Sequence, residues 1–175
     1  MPITHTAIST TTVTSAVSTV TLSDIPQTYT DLLLVVSARN TGSGVNYVSV
    51  SPNNSPGTVS SYYLFWNYNT GGSLNASQGN DPGLPFGFTP GSATTANTFG
   101  NISFYIPNYT SSTAKAFYVD STMATTLNKA TNNLYMAMLG FVCSTTSAIT
   151  SLTCPAFSGN HEVNTSFSLY GIKKN

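Results

Sequence analysis

Hydrophobic and polar residues alternate along most of this chain with a period of two, which is typical of β-strands that bury one face. In the segment FGNISFYIP, for example, Ile102, Phe104 and Ile106 fall on one face and the residues between them on the other. β-branched residues are abundant, and no segment has the period of an amphipathic helix. The pattern predicts an all-β protein of about eight or nine strands, folded as a single antiparallel, jelly-roll-like β-sandwich over residues 1–175.

Neighbouring strand segments that are joined by short turns are expected to pair as hairpins. The segment DLLLVVSAR is a continuous apolar run, which predicts a strand buried on both faces. Segment 114–121 continues the chain after segment 99–107 and the turn NYTSST. The three predicted strand pairs are 3–10 with 11–22, 31–39 with 45–51, and 133–143 with 148–154.

The last of these hairpins predicts whether the two cysteines can form a disulfide. It places Cys143 at the turn and Cys154 six residues further along its strand. At about 3.3 Å per residue the two are about 20 Å apart, whereas a disulfide needs Cα atoms within about 7 Å. We therefore expect both thiols to remain free.

The segment from Asn69 to Thr98 is rich in Gly, Pro, Asn and Ser, which predicts a loop of about 30 residues. A loop of this length is often functional or forms an interface arm. A calcium ion on Asp81 and the surrounding carbonyls of the Asn-Asp-Pro-Gly turn is an alternative to a plain loop. The sequence lacks the Cys and His spacings of a structural zinc site.

Charge is scarce: five Lys or Arg and five Asp or Glu give 6% charged residues and no net charge, against about 25% in a usual soluble domain. Without a basic stripe, nucleic acid is not an expected partner.

The longest nearly apolar run, 134–143, is about half the length of a membrane-spanning helix. The N-terminal residues lack the pattern of a signal peptide, so we expect synthesis in a cytoplasm without secretion.

Catalytic chemistry has few candidate side chains in this sequence. There is no G-x-S-x-G motif, and no pair of carboxylates is placed for glycoside hydrolysis, because Asp81 lies in a turn and Asp120 is predicted to end a strand. We therefore expect no enzyme activity, no catalytic residues and no cofactor, and we interpret the titratable groups as solvated turn residues. They are His5, His161, Asp24, Asp31, Asp81, Asp120 and Glu162.

The most suggestive cluster is the aromatic strand SYYLFWNY, from Ser61 to Tyr68. Strand alternation predicts one side facing the core and the other facing a subunit contact, where aromatic residues are enriched. The alternative is a platform on which these rings stack against sugars. The candidate interface or glycan-contact residues are Tyr62, Tyr63, Phe65, Trp66 and Tyr68.

Three further stretches carry a resemblance to a known group of proteins: IPQTYTDLLLVVSARNT, TTANTFGNISFYIPNYTSSTAKAFYVDS and the closing SLYGIKK. They resemble a β-rich domain of tailed-bacteriophage virion proteins, in particular those of marine and cyanobacterial phages. The stretch TTANTFGNISFYIPNYTSST is the most specific part. The resemblance covers most of the chain and brings no catalytic or ligand residues with it.

The resemblance and the composition together predict a non-enzymatic structural protein on the outside of a tailed-phage virion. Head decoration or cement protein, or a short fibre or collar component, is the expected role, with other virion proteins as partners. A homo-oligomer is expected, with a trimer favoured because virion surface sites often have threefold symmetry. The alternative is a receptor-binding module of a tail fibre that holds host polysaccharide.

Overall fold

A computed structural model describes residues 4–55, 59–68, 75–79, 84–125 and 134–173, and it describes 59–68 and 75–79 through their backbone alone. These residues form thirteen strands and contain no helix long and apolar enough to cross a bilayer. The strands are β1 (Thr4–Thr12), β2 (Thr19–Leu22), β3 (Asp31–Ala38), β4 (Val45–Ser49), β5 (Ser51–Pro52), β6 (Val59–Tyr68), β7 (Asn75–Gly79), β8 (Phe86–Pro90), β9 (Gly100–Ile106), β10 (Lys115–Ala124), β11 (Leu134–Cys143), β12 (Leu152–Pro155) and β13 (Ser166–Lys173).

Eight of the strands form one large antiparallel sheet in the order β1-β13-β3-β9-β10-β11-β6-β7. Its centre is the run β9-β10-β11, in which each strand pairs with the next along the chain. The register sets Val119 opposite Phe104 on one side and opposite Leu139 on the other. Both edges of this sheet are formed by strands far from the centre in sequence.

The second layer contains a three-stranded sheet, β2-β12-β5, and a two-stranded sheet, β4-β8. A bridge between Val48 and Ala156 links the two, and β8 lies against β9 and β10 of the large sheet. One hydrophobic cluster fills the space between the layers. The all-β, antiparallel sandwich predicted from the sequence is thereby confirmed.

Strict alternation places the core side chains. Along β10 every second residue is buried, and the residues between are exposed except for the half-buried Ala124 at the end. Ile102, Phe104 and Ile106 on β9 are fully buried, as their period predicted, and complete burial of such a side chain contributes about 1.5–3 kcal/mol. The prediction that β3 is buried on both faces is wrong, because Leu33 and Val35 are only half-buried on the outer side.

The three predicted strand pairs are wrong, although the strands themselves exist. In place of the first pair, β1 pairs with β13, and β2 pairs with β12. In place of the second, β3 pairs with β13 and β9, and β4 pairs with β8. In place of the third, β11 pairs with β10 and β6, and β12 pairs with β2 and β5. In each case the chain crosses from one layer to the other between the two segments. Two successive strands can then bury their apolar faces against each other without sharing hydrogen bonds.

The segment 69–98 is not a continuous loop, because β7 and β8 lie within it. Gly87, which contributed to the prediction of a loop over FGFTP, has a packing role in the structure. A Cβ on Gly87 would lie 2.3 Å from Cγ2 of Ile102, so the absence of a side chain lets β8 approach β9 closely. The suggested calcium loop around Asp81 lies outside the described residues.

The prediction of two free cysteines is confirmed, but the hairpin on which it rested does not exist. Cys143 ends β11 in the large sheet and Cys154 lies on β12 in the second layer, and both thiols are buried. Burial raises the pKa of Cys143 to about 11 and that of Cys154 to about 12. Both groups are therefore protonated, unreactive core residues at neutral pH.

Candidate docking face

The outer surface of the large sheet carries an exposed apolar area along β11. We name it the β10–β11 face. Its members are the outward residues of two paired strands: Tyr118, Asp120 and Thr122 on β10, and Leu134, Met136, Met138, Gly140 and Val142 on β11.

Methionine dominates the middle of this face. Met136 is 56% exposed and Met138 is 53% exposed, and Leu134 is exposed beside them. Outward positions of a sandwich strand that faces water are normally polar. A contiguous exposed apolar area marks an interaction surface, and methionine suits such a surface because its flexible thioether adapts to different partners.

Asp120 is the only charged side chain exposed on β9, β10 and β11, which the structure describes in full. It accepts a hydrogen bond of 2.9 Å from the hydroxyl of Tyr118. Partial burial and the Asp120 carboxylate both raise the pKa of Tyr118, which therefore remains a donor at neutral pH. The prediction that Asp120 ends its strand is wrong, since β10 continues to Ala124.

Gly140 forms a notch in the β10–β11 face. The register sets it opposite Tyr118 on β10 and opposite Tyr63 on β6. No described side chain has an atom within 4 Å of the place that a Cβ at Gly140 would take. Along β11 and toward β10, the site between Met138 and Val142 is therefore open to a side chain from outside.

The aromatic strand predicted from the sequence is β6, whose backbone pairs antiparallel with β11 beside this face. Its side chains lie outside the described part of the structure, so the choice between core, interface and glycan contact remains a prediction. The register positions are Tyr62 opposite Phe141, Tyr63 opposite Gly140, Phe65 opposite Met138, Trp66 opposite Ala137 and Tyr68 opposite Tyr135.

Two of the groups interpreted as solvated turn residues are buried instead. His161 is fully buried; its Nε2 lies 2.9 Å from the carbonyl oxygen of Cys154 and its Nδ1 3.2 Å from Oδ1 of Asn40. Burial lowers the pKa of His161, and the hydrogen bond with the Cys154 carbonyl partly opposes this effect. Asp31 is buried and accepts hydrogen bonds from the Tyr105 hydroxyl and the Asn108 backbone.

Arg39 forms a buried polar contact that the sequence did not indicate. Its Nε lies 2.9 Å from Oε2 of Glu162. Its Nη1 donates to the Thr94 hydroxyl at 3.0 Å and to the Thr95 carbonyl at 2.9 Å. Because these partners follow β8 and precede β13, Arg39 ties two connecting segments to the end of β3. The group is structural.

The remaining candidate metal ligands do not converge. The described ranges contain no group of three or more His, Cys, Asp or Glu side chains that could hold a metal ion. His161 approaches Cys154 through the backbone carbonyl and not through the thiol. His5 and Asp24 are exposed, on β1 and in the connection after β2.

Sequence reasoning missed the methionines of the β10–β11 face, although a signal was present. The run LYMAMLGFVC is apolar at both odd and even positions. A strand in a two-layer sandwich has only one face against the core, so one set of these side chains must be exposed or covered by another molecule.

No family model, curated protein or solved structure matches the chain.

Proposed function

We propose that this chain is a non-enzymatic structural protein on the outside of a tailed-phage virion, as a head decoration or cement protein or as a short fibre or collar component. The phage assignment depends on the sequence resemblance. The observation that carries the mode of action is the β10–β11 face, which presents Met136 and Met138 along β11 and a notch at Gly140, between Met138 and Val142.

In this proposal the face docks on another virion protein. The exposed thioethers lose their contact with water, and a partner side chain enters the notch at Gly140. Tyr118 and Asp120 stand at the side of the notch and satisfy polar groups of the partner. Removal of apolar area from water contributes about 25 cal/mol per Å² before the costs of association.

The composition supports a permanent assembly. A chain with no net charge tends to associate in the free state, and the same property is harmless on a particle to which the protein stays bound. We propose that the protein forms a homo-oligomer, that it is made in the host cytoplasm, and that it functions on the virion.

The test is the amount of this protein on density-gradient-purified phage particles, measured by quantitative mass spectrometry. Three forms are compared: the wild type, Met136→Lys on the β10–β11 face, where the residue opposite is Thr122, and Thr21→Lys, which adds the same charge at an exposed position of β2. We expect many copies per particle for the wild type and for Thr21→Lys, and loss of Met136→Lys although its melting temperature is unchanged. Wild-type levels of Met136→Lys, or the absence of the wild type from particles, would contradict the proposal.

Copy number also separates the second candidate function. The receptor-binding alternative is favoured by the position of the aromatic strand β6 beside the exposed face. A few copies at the tail, together with binding of the purified chain to host polysaccharide, would establish that alternative instead of decoration.

A further inference from the structure

One edge of the large sheet is formed by β1, a nine-residue strand with β13 as its only strand neighbour. Its side chains are mostly exposed, and from Thr4 to Ala7 all of them are. The backbone groups on the side away from β13 form a row of donors and acceptors without a strand partner in the described structure. Such an edge is a template for pairing with another strand.

Natural edge strands are usually protected by charged side chains, proline, short length or a bulge. The sequence of β1, THTAISTTT, contains no Lys, Arg, Asp, Glu or Pro. Its only protective feature is a bulge at Ile8, where the register with β13 shifts between Ala7 and Ser9. One regular four-residue segment remains on each side of the bulge.

We propose that β1 of a second copy of this chain pairs with this edge in antiparallel orientation, so that the two large sheets become continuous across a twofold axis. This inference specifies the homo-oligomer of the proposed function and makes it a dimer instead of the trimer favoured from the sequence. It does not depend on the docking of the β10–β11 face.

Three observations select a second copy as the occupant. First, the row of backbone groups requires an extended strand, and an antiparallel edge is complementary to itself across a twofold axis. Second, β1 carries no Lys, Arg, Asp or Glu and the chain has no net charge, so like-charge repulsion does not oppose pairing with a copy. Third, five of the nine residues are threonine, whose cross-strand pairs stabilise a ladder.

The experiment uses the purified chain without particles. Its mass is measured by sedimentation equilibrium over a range of concentrations, and hydrogen exchange of the β1 amides is measured at a low and a high concentration. The variant Thr6→Lys/Thr10→Lys puts charge on both segments of the edge. The control Thr28→Lys/Thr146→Lys adds the same two charges at exposed positions outside the strands.

We expect a concentration-dependent dimer for the wild type and the control, with slower exchange in β1 at high concentration. The edge variant should remain a monomer, and the exchange of its β1 amides should be the same at low and at high concentration. Its melting temperature should equal that of the wild type. A wild-type monomer at all concentrations, a trimer, or a dimer without slower exchange in β1 would overturn the proposal. The exchange measurement on the wild type holds even if the edge variant does not fold. Because no particle is present, these outcomes are independent of the test of the β10–β11 face.

Discussion

Burial of His161 makes the stability of this protein depend on pH. The ring lies in the core against Phe167, and its Nε2 donates a hydrogen bond to the Cys154 carbonyl. Its Nδ1 faces Oδ1 of Asn40, so the direction of the pKa change is set by burial and not by the hydrogen bonds. Burial lowers the pKa of His161 below its ordinary value of 6.5. The unfolded chain therefore takes up this proton at a higher pH than the folded protein does.

The sign and size of the effect follow from linkage. The stabilisation from a neutral His161 is fully present above pH 6.5 and is lost as the pH falls from 6.5 to the lower pKa of the folded state. Within that window one group changes the free energy of unfolding by about 1.4 kcal/mol per pH unit. Below the folded-state pKa this contribution to the slope ends.

The assay is urea unfolding, followed by circular dichroism, at a series of pH values from 8 down to 4. The comparison is with His161→Gln, which removes the titration and leaves an uncharged donor in the site. At pH 8 we expect the variant to be less stable by about 1–3 kcal/mol, because the replacement satisfies the buried carbonyl imperfectly. The difference between the two proteins should shrink as the pH falls below 6.5. Parallel curves for wild type and variant would refute the assignment of the buried, neutral imidazole.

Four further predictions concern the face, the core and the assembly. Gly140→Val should fold, and its free energy of unfolding should be equal to that of the wild type or higher by up to about 1 kcal/mol, because glycine is unfavourable within a strand. The variant should nevertheless fail to bind to particles, which a pull-down with gradient-purified particles measures. Arg39→Leu should lower the free energy of unfolding by about 2–4 kcal/mol, because Glu162 and several loop carbonyls lose their donor; urea unfolding checks this. Cys143 and Cys154 should not react with a thiol reagent until urea unfolds the chain, because both side chains are fully buried and burial also raises their pKa values. Attachment to particles should change little when the salt concentration is raised, because the face has few charges to screen; release by moderate salt would contradict apolar docking.

Local patterns in the sequence predicted what depends on a single strand. The alternation in β9 identified Ile102, Phe104 and Ile106 as core residues because burial on one face needs no knowledge of the partner strand. The apolar run that contains Leu33 was harder to interpret, since it does not reveal whether a second layer covers its outer side.

Partner choice between strands was not predictable from the sequence. A short connection such as Ser144 to Ser147 permits a hairpin, but the chain instead leaves the large sheet after Cys143 and forms β12 in the second layer. Likewise, the buried ring of His161 contacts Asn40, which is 121 residues away in the sequence. Contacts of this kind are set by the packing of the two layers and not by local propensity.

The candidate site was predictable only in part. The aromatic strand was identified, and the structure places its backbone beside β11. The exposed positions of Met136 and Met138 were not identified, because an apolar strand position gives the same signal whether it faces a core or a partner.

A cryo-electron microscopy map of the phage particle at side-chain resolution tests the central proposal most directly. The account predicts many copies of this sandwich on the particle, with Met136 and Met138 covered by another virion protein and a side chain of that protein in the notch at Gly140. A map in which the sandwich is present and the β10–β11 face is open to solvent, or one in which the sandwich is absent, would contradict it.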